Sequence, residues 1–323
     1  MTPPPLLLAA HGTTDQAGVD AFAALARRVG KLAAADGTRV AGGFIELSAP
    51  PLREAVSALA APHIVAVPLM LSAAGHAKGD IPAALARERG RHPAVRFTYA
   101  RPLGPHADLI DLLDKRVAAV GGLGGSQGGR LPVASTAPPA VLLVGRGSTD
   151  PDANADVVKT ARLLWEGRDY PLAETAFVSL ARPDVAEGLE RCRLLGAGLH
   201  GAGLPGAGLP GAGLPGAGLP GARRIVVARY FLFPGVLPDR VAEQAAAYAA
   251  AHPGLDIRCA DVLGDCDEIA ALVYERYREA LSGDIRMNCD VCVYRIAMPG
   301  FEDRVGAPQR PHEHPHDHVH AHG

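Results

Sequence analysis

Nowhere in the 323 residues do eighteen apolar residues follow one another, so the sequence offers no conventional membrane-crossing helix. Basic residues are not clustered either. The formal net charge is −2 and no Lys/Arg run interleaves with aromatics, so the electrostatic footprint of a nucleic-acid binder is missing. The opening MTPPPLLLAAHG has no positive n-region and too short an apolar run for a secretory signal, and a cytoplasmic protein is expected. Cysteine is scarce: Cys192, Cys259, Cys266, Cys289 and Cys292 are odd in number and crowd toward the C-terminus. That pattern argues against a disulfide framework and leaves metal ligation or plain burial. There is no G-x-x-x-x-G-K-[ST] and no G-x-G-x-x-G after the first apolar run, which removes the commonest nucleotide-binding classes.

What is present suits a folded globular protein: 48% of residues are apolar and 20% charged, enough for one large or two medium domains. Short apolar runs (PLLLAA, RVAGGFIEL, HIVAVPLML, VRFTYA) alternate with longer Ala-rich stretches of helical character. Such βαβα alternation with near-continuous apolar strands predicts an α/β fold, with parallel sheets covered by helices on both faces.

The chain then starts again. AVLLVGRGSTD restates PLLLAAHGTTD, AFVSLARPDVAEGL restates GFIELSAPPLREAV, and RRIVVARYFLFPG restates PHIVAVPLMLSAAG, so two copies of one α/β unit are expected. Residues 1–120 form the first, 121–139 a Gly/Ser/Pro linker, 140–285 the second, and 286–323 a C-terminal extension. The offset is 135 from His11 to Arg146 and 133 from Glu46 to Ser179, but 161 in the third block. The difference is an insertion of five pentapeptides of GAGLP type over 196–220, whose proline spacing forbids a regular helix or central strand.

In open parallel sheets, ligands bind outside the C-terminal ends of the strands. His11 ends the first predicted strand, Glu46 ends the second, and His76 follows the third in PLMLSAAGHAKGDIP, where small residues permit close approach. Taken singly, a strand-end histidine is more often a hydrogen-bonded loop residue. Together, two imidazoles and a carboxylate form a donor set for a borderline divalent ion such as Co²⁺, Fe²⁺, Ni²⁺ or Zn²⁺. In the second copy Arg146, Ser179 and Leu237 stand at those positions, so all three donor types are lost as a set while the apolar pattern stays.

On AAHGTTD, GFIELSAPPL, PLMLSAAGHAKGDIP and the degenerate second copy, the sequence resembles the class II tetrapyrrole chelatases of the CbiX and SirB type over most of residues 5–295. That resemblance implies two tandem flavodoxin-like domains whose parallel sheets face a central cleft. It implies that His11 is proton acceptor and metal ligand, that His76 and Glu46 also face the metal, and that Glu46, Leu71, Ser72, Ala73, Ala74 and Gly75 contact the substrate; Arg146 is expected to contact it too, because it occupies the position of the lost histidine. The implied reaction inserts Co²⁺ into sirohydrochlorin with release of two protons, Fe²⁺ being the alternative metal. A metal-buffering or metallochaperone protein is the competing reading of a different class. For a polycarboxylate ring the cleft should present cations, and Arg146, Arg182, Arg229, Lys78, Arg53 and Arg101 are the candidates.

In MNCDVCVYR, Cys289 and Cys292 have a spacing that lets two thiolates meet one metal or iron–sulfur centre, and long members of the resembled family carry M-x-C-x-x-C here. A redox-active or merely reduced pair is the alternative. The tail alternates His312, His314, His316, His318, His320 and His322 with Pro and acids, a disordered composition suited to weak multivalent binding of Co²⁺, Ni²⁺ or Zn²⁺. It inclines the reading toward cobalt.

Overall fold

The structure, a computed structural model, describes residues 2–121, 138–168, 170–198, 224–283 and 302–305. The first repeat runs β1 (Leu6–Ala10), α1 (Gln16–Ala33), β2 (Val40–Phe44), α2 (Leu52–Leu59), β3 (His63–Pro68), a π-helical turn (His76–Asp80), α3 (Ile81–Arg91), β4 (Arg96–Tyr99) and α4 (Ala107–Gly121). The second runs β5 (Ala140–Gly145), α5 (Pro151–Gly167), β6 (Ala173–Phe177), α6 (Val185–Gly198), β7 (Arg224–Arg229), α7 (Val236–Ala251), β8 (Asp256–Cys259) and α8 (Asp267–Ser282). The first residues of the pentapeptide insertion complete α6. The remainder of that insertion, most of the linker, Cys289, Cys292 and the histidine tail lie outside the described residues.

Both sheets are parallel, with orders β2-β1-β3-β4 and β6-β5-β7-β8. The order reverses beside β1 and β5, which opens a crevice at the C-terminal ends of β1 and β3 and of their counterparts. The helices after β1 and β5 start at an aspartate: Asp15 accepts the N–H groups of Ala17 and Gly18 at α1, and Asp150 accepts that of Asp152 at α5.

Strand alternation sorts the core into three layers. Leu6 and Leu8 share one continuous cluster with Val141 and Leu143 between the sheets, whereas Leu7 and Ala9 face α2 and α3. Leu142 and Val144 likewise turn outward, under α6 and α7. Each such fully buried leucine contributes roughly 2 kcal/mol of hydrophobic stabilisation.

The two halves are interlocked, because α4 packs on β7, β8 and α5 of the second repeat while α8 packs on α1, β3 and β4 of the first. Two arginines fasten the exchange. Arg276 on α8 donates to the carbonyl of Leu103 and Arg116 on α4 to that of Leu263, each at 2.8 Å. Each repeat of the sequence thus lends its last helix to the sheet of the other. Only tertiary packing shows this.

Two further contacts tie the segment after β3 to α5. The Lys78 ammonium lies 2.8 Å from both Asp150 and Asp152, buried with them, and the Ala73 N–H donates to the Asp156 carboxylate at 3.2 Å. Burial pushes the Asp156 carboxyl up to about 6. The folded chain thus holds a proton there that the unfolded chain has already lost, and stability falls as pH rises from about 4 to about 6. Asp156→Asn keeps the acceptor and removes the charge. In denaturant melts it is expected to be more stable than the parent by roughly 2 kcal/mol above about pH 7, with no difference near pH 4.

The exits of the first strands repeat one device. Gly12 (φ 118°) and Gly147 (φ 86°) lie against the carbonyls of Glu46 and Ser179, where a Cβ would sit 1.9 and 1.8 Å from oxygen. Backbone cannot yield to that contact cheaply, so Gly147→Ala is expected to cost roughly 3 kcal/mol, read as a lowered urea midpoint at unchanged m-value.

Candidate functional site

The parallel ladder continues past β1 and β2, with the N–H of Ile45 on the Ala10 carbonyl (2.9 Å) and that of Glu46 on the His11 carbonyl (3.0 Å). Those bonds hold residues 11 and 46 side by side, and the His11 Nε2 lies 2.8 Å from Glu46 Oε1. His76 opens the π-helical turn, a local widening that recurs at functional sites. Its Nδ1 sits 2.5 Å from Asp80 Oδ2 across that turn. The His76 ring meets the His11 ring edge-on, with centroids 4.1 Å apart and planes at 69°. The three strand-end residues singled out in the sequence are therefore neighbours.

Burial sets the protonation of His11. Burial lowers the His11 pKa below its ordinary value, with the Glu46 charge opposing and Arg146 adding to the depression, so the imidazole is neutral at pH 7. Arg146, at the exit of β5, comes from the other repeat and feels the Glu46 and Asp80 carboxylates across the cleft. It makes no hydrogen bond or ion pair within the described residues. A half-buried guanidinium without a partner suits an anionic group of a ligand.

These groups border a cavity of ≈270 Å³ between the two sheets, lined by His11, His76, Arg146 and, from the first repeat, Leu71, Ser72, Ala74 and Gly75. Aromatic walls come from the second repeat as Tyr230, Phe231 and Phe233. Ala73 stands outside the wall with its N–H on Asp156, and Glu46 stands beside His11 with its side chain 54% exposed.

Of the six cations expected to face a ring, Arg146 alone lines the cavity. Lys78 is buried against Asp150 and Asp152, and Arg101 forms a two-pronged bond to Glu279 at 2.8 and 2.6 Å. Arg229 donates to the Ala260 carbonyl, Arg182 pairs with Glu187 in solvent, and Arg53 is exposed on α2. Lys78, Arg101 and Arg229 are thus taken by carboxylates or a carbonyl of the same chain, because sequence shows a charge but not its partner, while Arg182 and Arg53 stand outside the cavity wall. Asp80, which orients His76, was missed. Its spacing of four residues after the histidine was the available signal.

His11, Glu46 and His76 do not offer three donor atoms mutually within 4.8 Å; among the described residues the set that does is His106, Asp108 and Glu275. There His106 Nδ1 accepts the Asp108 N–H at the start of α4 and Nε2 faces Glu275 on α8 at 3.3 Å, so the imidazole caps one exchanged helix and touches the other.

A family model described as CbiX matches residues 5–120, 140–198 and 216–280. The sirohydrochlorin cobaltochelatase of Priestia megaterium is 34% identical over 258 residues, 79% of this chain and 74% of that protein. The sirohydrochlorin ferrochelatase of Bacillus subtilis is 36% identical over 147 residues, 45% of this chain and 52% of that protein. Among solved structures, SirB from Bacillus subtilis with Fe³⁺ has the same fold, at a TM-score of 0.65 and 24% identity over 88% of this chain and 99% of that one. With the match running through both repeats and a relative of that identity over most of its length, the chain belongs to the CbiX family.

Proposed function

We propose that the protein is a sirohydrochlorin cobaltochelatase, inserting Co²⁺ into the metal-free tetrapyrrole with release of the two pyrrole N–H protons. The observation that carries this reading is the neutral His11 paired to Glu46 and set edge-on against His76 on one side of a cavity whose other side presents Arg146. It is supported by the relatives, which are named as cobalto- and ferrochelatases of sirohydrochlorin.

The residues divide the work. A carboxylate 2.8 Å from Nε2 favours the His11 tautomer protonated at that nitrogen; Nδ1, 3.4 Å from the Gly12 carbonyl, then offers its lone pair to an ion or a pyrrole proton once the ring turns away from that carbonyl. A proton gained by His11 passes through Nε2 to Glu46, whose exposed carboxylate delivers it to water. The ion is shared by His11 and His76, and Glu46 joins it by rotating away from Nε2, a movement its exposure permits. Arg146 binds a ring carboxylate and fixes which way the macrocycle faces. Such a donor set accepts Fe²⁺ as well as Co²⁺, and the histidine-rich tail favours cobalt. We place the protein in the cytoplasm, where its thiols stay reduced. Cys289 and Cys292 remain candidates for an iron–sulfur site.

Three outcomes check this. His11→Ala is expected to lower the insertion rate at least about 100-fold, followed by the absorption shift of sirohydrochlorin with Co²⁺ and Fe²⁺ side by side, while the melting temperature stays near that of the parent. Arg146→Met is expected to raise KM for sirohydrochlorin about tenfold and leave KM for Co²⁺ unchanged. Removing residues 311–323 is expected to preserve kcat at saturating Co²⁺; loss of all activity would instead favour the metallochaperone reading.

A further inference from the structure

Leu47 and Leu180 occupy matching places in the two repeats and share an unusual backbone. Their φ angles are 63° and 61°, in the left-handed region that a branched apolar side chain avoids. Around each, an i+2 to i hydrogen bond closes a γ-turn: the Ser48 N–H donates to the Glu46 carbonyl at 2.7 Å and the Ala181 N–H to the Ser179 carbonyl at 2.8 Å. A γ-turn with positive φ is rare and strained.

The strain is not repaid by core packing, since Leu47 is 61% and Leu180 37% exposed. Glycine or asparagine would make the same turn at lower cost. Nor does the turn exist only to aim Glu46 at His11, because Ser179 replaces Glu46 in the second repeat and the turn persists there. Between GFIELSAPP and AFVSLARPD the residues on either side of the leucine change while the leucine stays. One leucine lines the cleft and the other stands beside it. Leu180 lines the cavity, and the Leu47 Cβ lies 3.4 Å from where a Cβ on the cavity-lining Gly12 would be.

We infer that Leu47 and Leu180 are substrate-positioning residues, one on each jaw of the cleft, that hold the apolar surface of the flat tetrapyrrole against the aromatic wall of Phe231 and Phe233. The inference rests on the proposed chelatase reading and adds two contacts to it. The exposed leucines are covered only when the macrocycle is in place. Their left-handed backbone holds them out of the protein's own core until then.

Substitution by glycine separates this role from a structural one, because glycine relieves the turn. Leu47→Gly and Leu180→Gly are expected to melt at or above the parent temperature, and each to weaken binding of metal-free sirohydrochlorin about tenfold by titration of its fluorescence. KM for the tetrapyrrole should rise in step, with kcat and KM for Co²⁺ within about twofold, and Leu→Met at either site should restore affinity. Leu→Asn, which keeps the turn and removes the apolar contact, should behave as Leu→Gly and decides the matter if a glycine variant misfolds. Unchanged tetrapyrrole affinity in the Gly and Asn variants would overturn the inference while leaving the chelatase reading intact. A parent protein that binds no sirohydrochlorin at all would sink that reading itself.

Discussion

The Gly12 α-carbon presses against the Glu46 carbonyl, and the Gly147 α-carbon against that of Ser179, too closely for any side chain at either glycine. That approach fixes the spacing between the exits of neighbouring strands in both halves. The residue before each glycine then points into the cleft from a set position: His11 on one side, Arg146 on the other. A single backbone constraint, used twice, thus places an imidazole beside a carboxylate and a guanidinium facing them.

From this follows a cleft that is symmetric in backbone and asymmetric in chemistry. The donors gather on the first repeat, where burial keeps His11 neutral and Asp80 orients His76. The second repeat contributes a cation and aromatic rings. Under the proposed chelatase reading, a ring with a nitrogen-lined centre and an acidic rim would be held in one orientation by such an arrangement, with the ion presented from one face only. Had both repeats kept the histidines, two competing ion positions would face the same ring.

Much of this was legible in the sequence. Four strands of the first half and three of the second were visible, most plainly the central ones, because strands buried on both faces read as unbroken apolar runs; the edge strand β8, DIRC with mixed burial, gave no such run. The duplicated pattern supplied the correspondence of His11 with Arg146 and of Glu46 with Ser179. Strand-end position was enough to bring His11, Glu46 and His76 together, since parallel sheets gather such residues at one edge. Charges were read less well. Lys78, Arg101 and Arg229 looked available to a ligand, and each is engaged by carboxylates or a carbonyl brought up from more than thirty residues away. The crossing of α4 and α8 left no trace in periodicity, because a helix's apolar stripe does not say which sheet it will cover.

That crossing has a mechanical consequence. Each lobe's sheet is roofed by a helix belonging to the other, and Arg116 and Arg276 stitch those roofs down through bonds to backbone carbonyls. Swinging the lobes apart like a clamshell would tear both roofs off, so the slot keeps a nearly constant width. Under the proposed chelatase reading, a slot braced in this way favours a flat ring entering edgewise over a bulkier guest, which would need both roofs to lift.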